Sequence, residues 1–190
     1  PFATRNEEAY ERATSYGSLF WKADAVDESA IRLVESQGET VYAYRFDWDD
    51  LRAFLTLDLS HLLGASHALE LPFVFGNLNL LETALVLADV DSARALSDQM
   101  MSYWAEFAFT GKPGKGVKGE LAEWGAWTNL ANEPRLMVFD SDLNEGSGLR
   151  MSSEMVTYES LSDRLSIDEH LNSDSKCNLA SRMFDSELSD

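Results

Sequence analysis

One cysteine, Cys177, is all this chain carries, so no disulfide can close within it, and without a histidine nearby in sequence the thiol reads as inert. Basic residues are scarce as well. Fifteen Lys and Arg stand against 33 Asp and Glu, a formal charge of −18. Such a balance repels phosphate backbones and anionic lipid, which excludes nucleic acid as a partner. No apolar run approaches the ~20 residues a membrane-spanning helix needs, so no membrane span is expected. The opening Pro1-Phe-Ala-Thr-Arg-Asn-Glu-Glu8 has neither the basic nor the apolar segment of a secretory leader. It also lacks an initial methionine, and residue 1 is expected to be a cut.

What the chain does have is ample material for a core. Its 190 residues are 45% hydrophobic and 11% aromatic, a globular composition with enough length to bury a substantial interior. The acidic residues thicken from Asp140 onward, through Glu145, Glu154 and Asp168 to Asp190. They read as a solvated surface rather than a dedicated face for cations.

Apolar spacing predicts a helix from about Asp24 to Gln37, with Asp24 as N-cap and Gly38 at its C-terminus. Thr40 to Phe46 is rich in β-branched and aromatic residues and predicts a buried strand. A long connection with helical character near Leu51 to Leu63 leads to a loop bearing His67. The clearest helix spans about Asp91 to Thr110, with Leu96, Met100, Trp104, Phe107 and Ala108 as one stripe and Gly111-Lys-Pro113 ending it. Gly114 to Gly119 reads as a flexible surface loop without the Ser/Thr and spacing of a phosphate-cradling loop. Leu136 to Phe139 predicts a second strand, Asn144 to Gly148 a turn, and Tyr158 to Leu165 and Lys176 to Leu188 peripheral helices. Two strands are too few to cover these helices, so more sheet is expected upstream.

Of the three histidines, His61 lies in a Leu-rich stretch and His170 in the acidic tail. His61 and His67 are six apart with no cysteine between them, a poor match to metal-ligand spacings, and no metal site is expected. His67 differs in setting. The small-residue run Gly64-Ala-Ser66 delivers it beyond a strand, where a rigid scaffold can present a catalytic group, and Glu70 follows three residues later. Imidazole is suited to proton transfer near neutral pH.

The run His67-Ala-Leu-Glu70-Leu-Pro72-Phe-Val-Phe-Gly76-Asn, with Tyr44-Arg-Phe-Asp-Trp48 before it, resembles the catalytic-histidine region of type B carboxylesterases, the cholinesterase-like branch of the α/β-hydrolases. Trp104-Ala-Glu-Phe-Ala-Phe-Thr-Gly111-Lys-Pro113 looks like that family's C-terminal helix, and Trp124 to Phe139 like its closing segment. Gly125 departs from the proline many relatives place there. The resemblance implies an α/β fold, the C-terminal part of an α/β-hydrolase: the last strands of its sheet, the catalytic-histidine loop and the C-terminal helices. Residues 1–140 would be hydrolase domain and 141–190 an acidic peripheral segment.

The resemblance further implies a serine carboxylesterase acting on a small-molecule carboxylic ester through an acyl-enzyme. His67 would be the triad histidine. Glu70 would support the active-site wall without being the triad acid, and Leu69, Leu71, Pro72, Phe73 and Phe75 would pack the histidine loop on the core. No metal or organic cofactor is implied. In this fold class the triad order is Ser, then Asp/Glu, then His, with the serine on a G-x-S-x-G elbow. No G-x-S-x-G occurs in the chain. Nucleophile, triad acid and oxyanion hole are therefore expected upstream, in the N-terminal part of the same hydrolase domain, and the isolated chain is expected to be inactive. The alternative is a non-catalytic, esterase-like interaction protein, a role that would leave the histidine unused. A single cysteine favours a cytoplasmic esterase over a disulfide-bonded secreted one.

Overall fold

The computed structural model describes residues 7–38, 40–53, 58–83, 86–141 and 148–184. In chain order these form α1 (Glu7–Lys22), a π-helical turn (Ala23–Asp27), α2 (Glu28–Gln37), β1 (Ala43–Phe46), α3 (Leu59–Leu63), α4 (Glu70–Val74) and α5 (Asn79–Thr83). Then follow α6 (Val90–Thr110), β2 (Leu136–Phe139), β3 (Arg150–Ser152), α7 (Tyr158–Ile167) and α8 (Ser173–Phe184). They divide into two compact units, Thr40–Glu154 and Pro1–Glu39 with Met155–Asp190.

The unit Thr40–Glu154 is α/β. Its sheet has the order β1-β2-β3. β1 and β2 are parallel, Ala43 opposite Leu136 and Phe46 opposite Phe139, and β3 joins β2 antiparallel with Val138 opposite Arg150. Parallel neighbours need a long crossover, and residues 47–135 supply it with α3 to α6. The central strand β2 reads Leu-Met-Val-Phe and buries all four residues, the unbroken apolar pattern of an interior parallel strand.

Strand alternation sorts the two faces. Tyr44, Phe46, Met137 and Phe139 share one face, where α6 brings Trp104 to 5.1 Å from the Tyr44 ring and Tyr103 to 5.8 Å from that of Phe139. The other face places Arg45 and Arg150 on either side of Val138 in one row. Arg45 forks onto Asp47 at 2.6 and 2.7 Å and also pairs with Glu154, while Arg150 lies 3.7 Å from Asp140. The bonds to Asp47, working against partial burial, raise the Arg45 pKa further, so its charge is permanent.

Both expected strands are present, and so is the long helix. Asp89 caps α6 by accepting the Ser92 amide at 2.8 Å. Leu96 and Met100 are buried, but Phe107 and Ala108 are exposed, so the predicted stripe leaves the core in the last turn. The loop 114–119 is not the loose segment expected. Its backbone closes Gly119 N–H to Gly116 C=O and Trp124 N–H to Gly114 C=O, and Val117 N–H donates to Ser102 Oγ on α6 at 3.0 Å.

In the other unit, α1 runs through the π-helical turn straight into α2. Asp24 therefore sits inside helical backbone and is no N-cap; its carboxylate instead accepts the Tyr158 hydroxyl. Gly38 does end α2, at φ +65°. Fully buried Asp27 pairs with Lys22 and accepts the Val156 amide at 2.7 Å. Around it Tyr16, Ala23, Leu161, Leu165 and Met183 make a small core. α7 and α8 match the two expected peripheral helices, although residues 185–188 lie outside the described residues, as do 144–147 of the expected turn. Cys177 is exposed on α8.

Two tyrosines tie the main core to pH. Burial, and then the charge of Glu123, pushes the Tyr103 phenol up to about 12. Burial, and then Glu70, raises that of Tyr44. In the unfolded chain both revert to about 10. The fold therefore holds these protons after the unfolded chain has lost them, and stability is full below pH about 10 and declines as pH rises toward about 12. Urea midpoints measured across that interval should fall steadily, and Tyr103→Phe should flatten the slope.

Candidate active site

The site begins at the end of β1. Asp47 N–H donates to Phe139 C=O at 2.8 Å, extending the parallel pairing by one residue. The next residue, Trp48, is fully buried. Its ring lies 4.8 Å from that of Phe73, and Phe46 stands 5.3 Å from the same ring. Phe73 is the buried residue of α4, and its carbonyl accepts a 2.8 Å hydrogen bond from Ser97 Oγ in the middle of α6. α4 is thus held by a ring on one side and by a backbone carbonyl on the other.

A second contact fixes the far end of α4. Gly76 has φ +62°, and a Cβ there would fall 2.5 Å from Met101 Sδ on α6. Glycine takes this positive φ without the steric cost a Cβ would bring, and leaves the Met101 side chain where it lies. Asn77 N–H closes the turn onto Pro72 C=O at 2.8 Å.

His67 rides on the near end. α3 is capped by Asp58, whose carboxylate accepts the His61 amide at 3.1 Å. It ends at Gly64, and Ser66 then folds back, its amide on Gly64 C=O at 2.9 Å and its hydroxyl on Leu63 C=O at 2.8 Å. Leu69 N–H reaches Ser66 C=O at 3.1 Å, closing a turn around His67 and Ala68. Ala68 has φ +72°, a left-handed conformation that costs a residue with a Cβ about 1–2 kcal/mol. The turn that carries this strain leads directly into α4. His67 itself is exposed.

Glu70 opens α4 and is half-buried, near enough to Tyr44 on β1 for its charge to act on the phenol. His61 is exposed on α3, and His170 has its amide bound to Asp168 at 2.9 Å. Among the described residues no group of histidines, cysteines and carboxylates could hold a metal ion. Asp47, Asp49 and Asp140 collect near the C-terminal ends of β1 and β2. Burial, and then neighbouring carboxylates, raises the pKa of Asp49; burial likewise raises that of Asp140.

The expected packing of the histidine loop needs one correction. Phe73 is buried and Leu69 packs against the core, but Leu71 is 48% and Phe75 75% exposed. Leu71 on α4 and Phe75 just past its end lie two residues to either side of Phe73, so burying Phe73 turns both outward. Sequence reasoning passed over Ser97 and Ala68. A serine within an apolar helical stripe was the available signal for the first. Nothing in the sequence marks Ala68 as left-handed.

An exposed imidazole on a strained turn, itself locked to buried elements, can accept a proton from a nucleophile brought to it without first having to be ordered. By relieving the strain at Ala68, Ala68→Gly should raise unfolding stability by about 1 kcal/mol, read as a higher urea midpoint at unchanged slope. Ala68→Val should lower it.

The sequence profile of the carboxylesterase family matches residues 3–155. The chain is 34% identical over 125 residues to the para-nitrobenzyl esterase of Bacillus subtilis, covering 66% of this chain and 22% of that protein. It is 28% identical over 120 residues to acetylcholinesterase 1 of Caenorhabditis elegans, covering 62% of this chain and 18% of that protein. A carboxylesterase of Geobacillus stearothermophilus overlays with a TM-score of 0.47 at 25% identity, over 79% of this chain and 30% of that one. The chain thus spans about a fifth of the length of the curated relatives it matches. With that match, and with helices packed on a small mixed sheet, the chain belongs to the carboxylesterase family and has the fold of a partial α/β-hydrolase.

Proposed function

We propose that this chain is the C-terminal portion of a serine carboxylesterase and that His67 is its general base. The observation that carries the reading is the presentation of His67: solvent-exposed, on a turn pinned to buried elements, in a chain of this family. In acylation the imidazole takes the proton of a serine hydroxyl as that oxygen attacks the ester carbonyl. It then gives the proton to the departing alcohol. In deacylation it takes a proton from water as that oxygen attacks the acyl carbonyl, then returns it to the serine oxygen as the acyl–serine bond breaks and the acid leaves.

The other participants belong to the rest of the hydrolase domain on this reading. A serine elbow, a triad acid fixing the imidazole's tautomer and backbone donors for the oxyanion lie N-terminal to Pro1, and that portion of the domain is the partner of this chain. Glu70 has a supporting role at the start of α4, its half-buried carboxylate close enough to Tyr44 for its charge to act on the phenol. The substrate is a small carboxylic ester. Residues 1–140 make the hydrolase portion and 141–190 an acidic peripheral segment.

Removing the serine and oxyanion donors leaves a base with nothing to activate, so the 190-residue chain alone should hydrolyse a nitrophenyl ester no faster than its His67→Ala variant. The decisive test is a chimaera in which residues 1–140 replace the matching region of the Bacillus subtilis relative. It should hydrolyse the ester, and His67→Ala in it should lower kcat by at least about 1,000-fold with the fold intact by circular dichroism. A folded, active chimaera indifferent to His67→Ala would overturn the assignment.

A further inference from the structure

The scarce positive charge of this chain is gathered at the end of α6. From Phe107 to Gly119 there are three lysines, Lys112, Lys115 and Lys118, and no Asp or Glu, although acids outnumber bases by 33 to 15 in the whole sequence. Arg12, Lys22, Arg45, Arg94 and Arg150 are each held by a carboxylate. Among the described residues the three lysines make no ion pair, and all three are exposed. Two apolar side chains stand among them, Phe109 at 88% and Val117 at 57% exposure.

The loop presents these groups in a fixed arrangement. Val117 N–H donates to Ser102 Oγ, and Leu121 N–H donates to Lys115 C=O at 3.1 Å. Gly116, at φ +70°, approaches so closely that a Cβ there would fall 2.5 Å from Ser102 Oγ. Helix geometry says which side of α6 this is. At about 100° per residue, Phe109 stands within about 20° of Ser102, whereas Trp104, which meets Tyr44 on β1, stands about 200° away. Phe109 and the loop pinned on Ser102 therefore share the side of α6 turned away from β1. Phe109 is also about 18 Å along the axis from Ser97, which holds α4, so this surface is separate from the histidine turn.

Unpaired lysines beside exposed apolar side chains select one kind of partner. A bilayer with anionic headgroups takes apolar side chains into its interface and draws lysines to its charge, their stems lying along the apolar surface. A nucleic-acid strand would stack a base on Phe109 and find no use for Val117, and an acidic peptide needs a groove where these groups project from a helix end and a loop. The formal charge of −18 opposes any anionic surface at long range. At physiological ionic strength that field is screened beyond about 8 Å. Within that distance the headgroups meet the lysines of this segment, which Glu106 and Glu120 bound on either side. We propose that the end of α6 and the loop after it dock the chain on an anionic lipid bilayer, Phe109 and Val117 entering the interface and Lys112, Lys115 and Lys118 meeting the headgroups. The proposal does not depend on ester hydrolysis.

Flotation of the 190-residue chain with vesicles at physiological salt tests it. The chain should float with vesicles of phosphatidylcholine and phosphatidylserine in equal parts, and stay behind with phosphatidylcholine alone. Lys112→Gln, Lys115→Gln and Lys118→Gln should each weaken partitioning about fivefold, and the triple change should reduce it to the phosphatidylcholine level. Phe109→Ser should weaken it as well, with circular dichroism unchanged because the ring is exposed. Lys176→Gln on α8 removes the same charge elsewhere and should leave partitioning as it was. No flotation with either vesicle, equal flotation with both, or a loss with Lys176→Gln as large as with Lys115→Gln would each overturn the proposal. So would indifference to Phe109→Ser, or binding of poly-glutamate or an oligonucleotide in place of vesicles.

Discussion

The burial of Phe73 is the constraint on which the histidine turn depends. α4 is only five residues long, too short to be stable as a helix by itself. It exists because one ring is enclosed by Trp48 and Phe46 from β1 and its flank, and because Ser97 on α6 bonds the carbonyl of that same residue. Burying such a side chain is worth about 1.5–3 kcal/mol and the hydrogen bond about 1 kcal/mol more. Against that sum stands the 1–2 kcal/mol of left-handed backbone at Ala68. The clamp outweighs the strain, and the turn bearing His67 is held in a conformation the chain would not otherwise adopt.

The two faces of the sheet are organised by different forces. The face toward α6 is aromatic, and burial makes Tyr44 on that face and Tyr103 on α6 harder to ionise. The other carries Arg45 and Arg150 in one row, balanced by Asp47, Asp140 and Glu154. In a chain with so few cations, two arginines committed to a three-stranded sheet are a notable share. They hold carboxylates that would otherwise repel one another where β1 and β2 end.

Much of this was legible in the sequence, for reasons that can be stated residue by residue. β2 was visible because an interior strand needs four consecutive apolar residues. α6 was visible because a long helix against a sheet repeats its pattern over several turns before Gly111 and Pro113 stop it. β3 was not visible, because Arg150-Met-Ser152 carries no apolar alternation and owes its pairing to β2. α1 was missed, and with it the continuity that places Asp24 within helical backbone, since propensity cannot distinguish a cap from an interior turn when both flanks are helical. At the site, the motif singles out His67 and Glu70 as candidates. The outward turn of Leu71 and Phe75 follows only from knowing that Phe73 faces in, and the hold of Ser97 only from the crossing of α4 and α6.

The central claim is that the clamp on Phe73, rather than the turn's own bonds, holds His67 in place. Amide hydrogen exchange in Ser97→Ala tests it directly, since that change removes one hydrogen bond and little volume. The account predicts faster exchange confined to residues 67–76, with the amides of β1 and β2 protected as before. Unchanged exchange at residues 67–76, or loosening spread evenly over the whole Thr40–Glu154 unit, would contradict it.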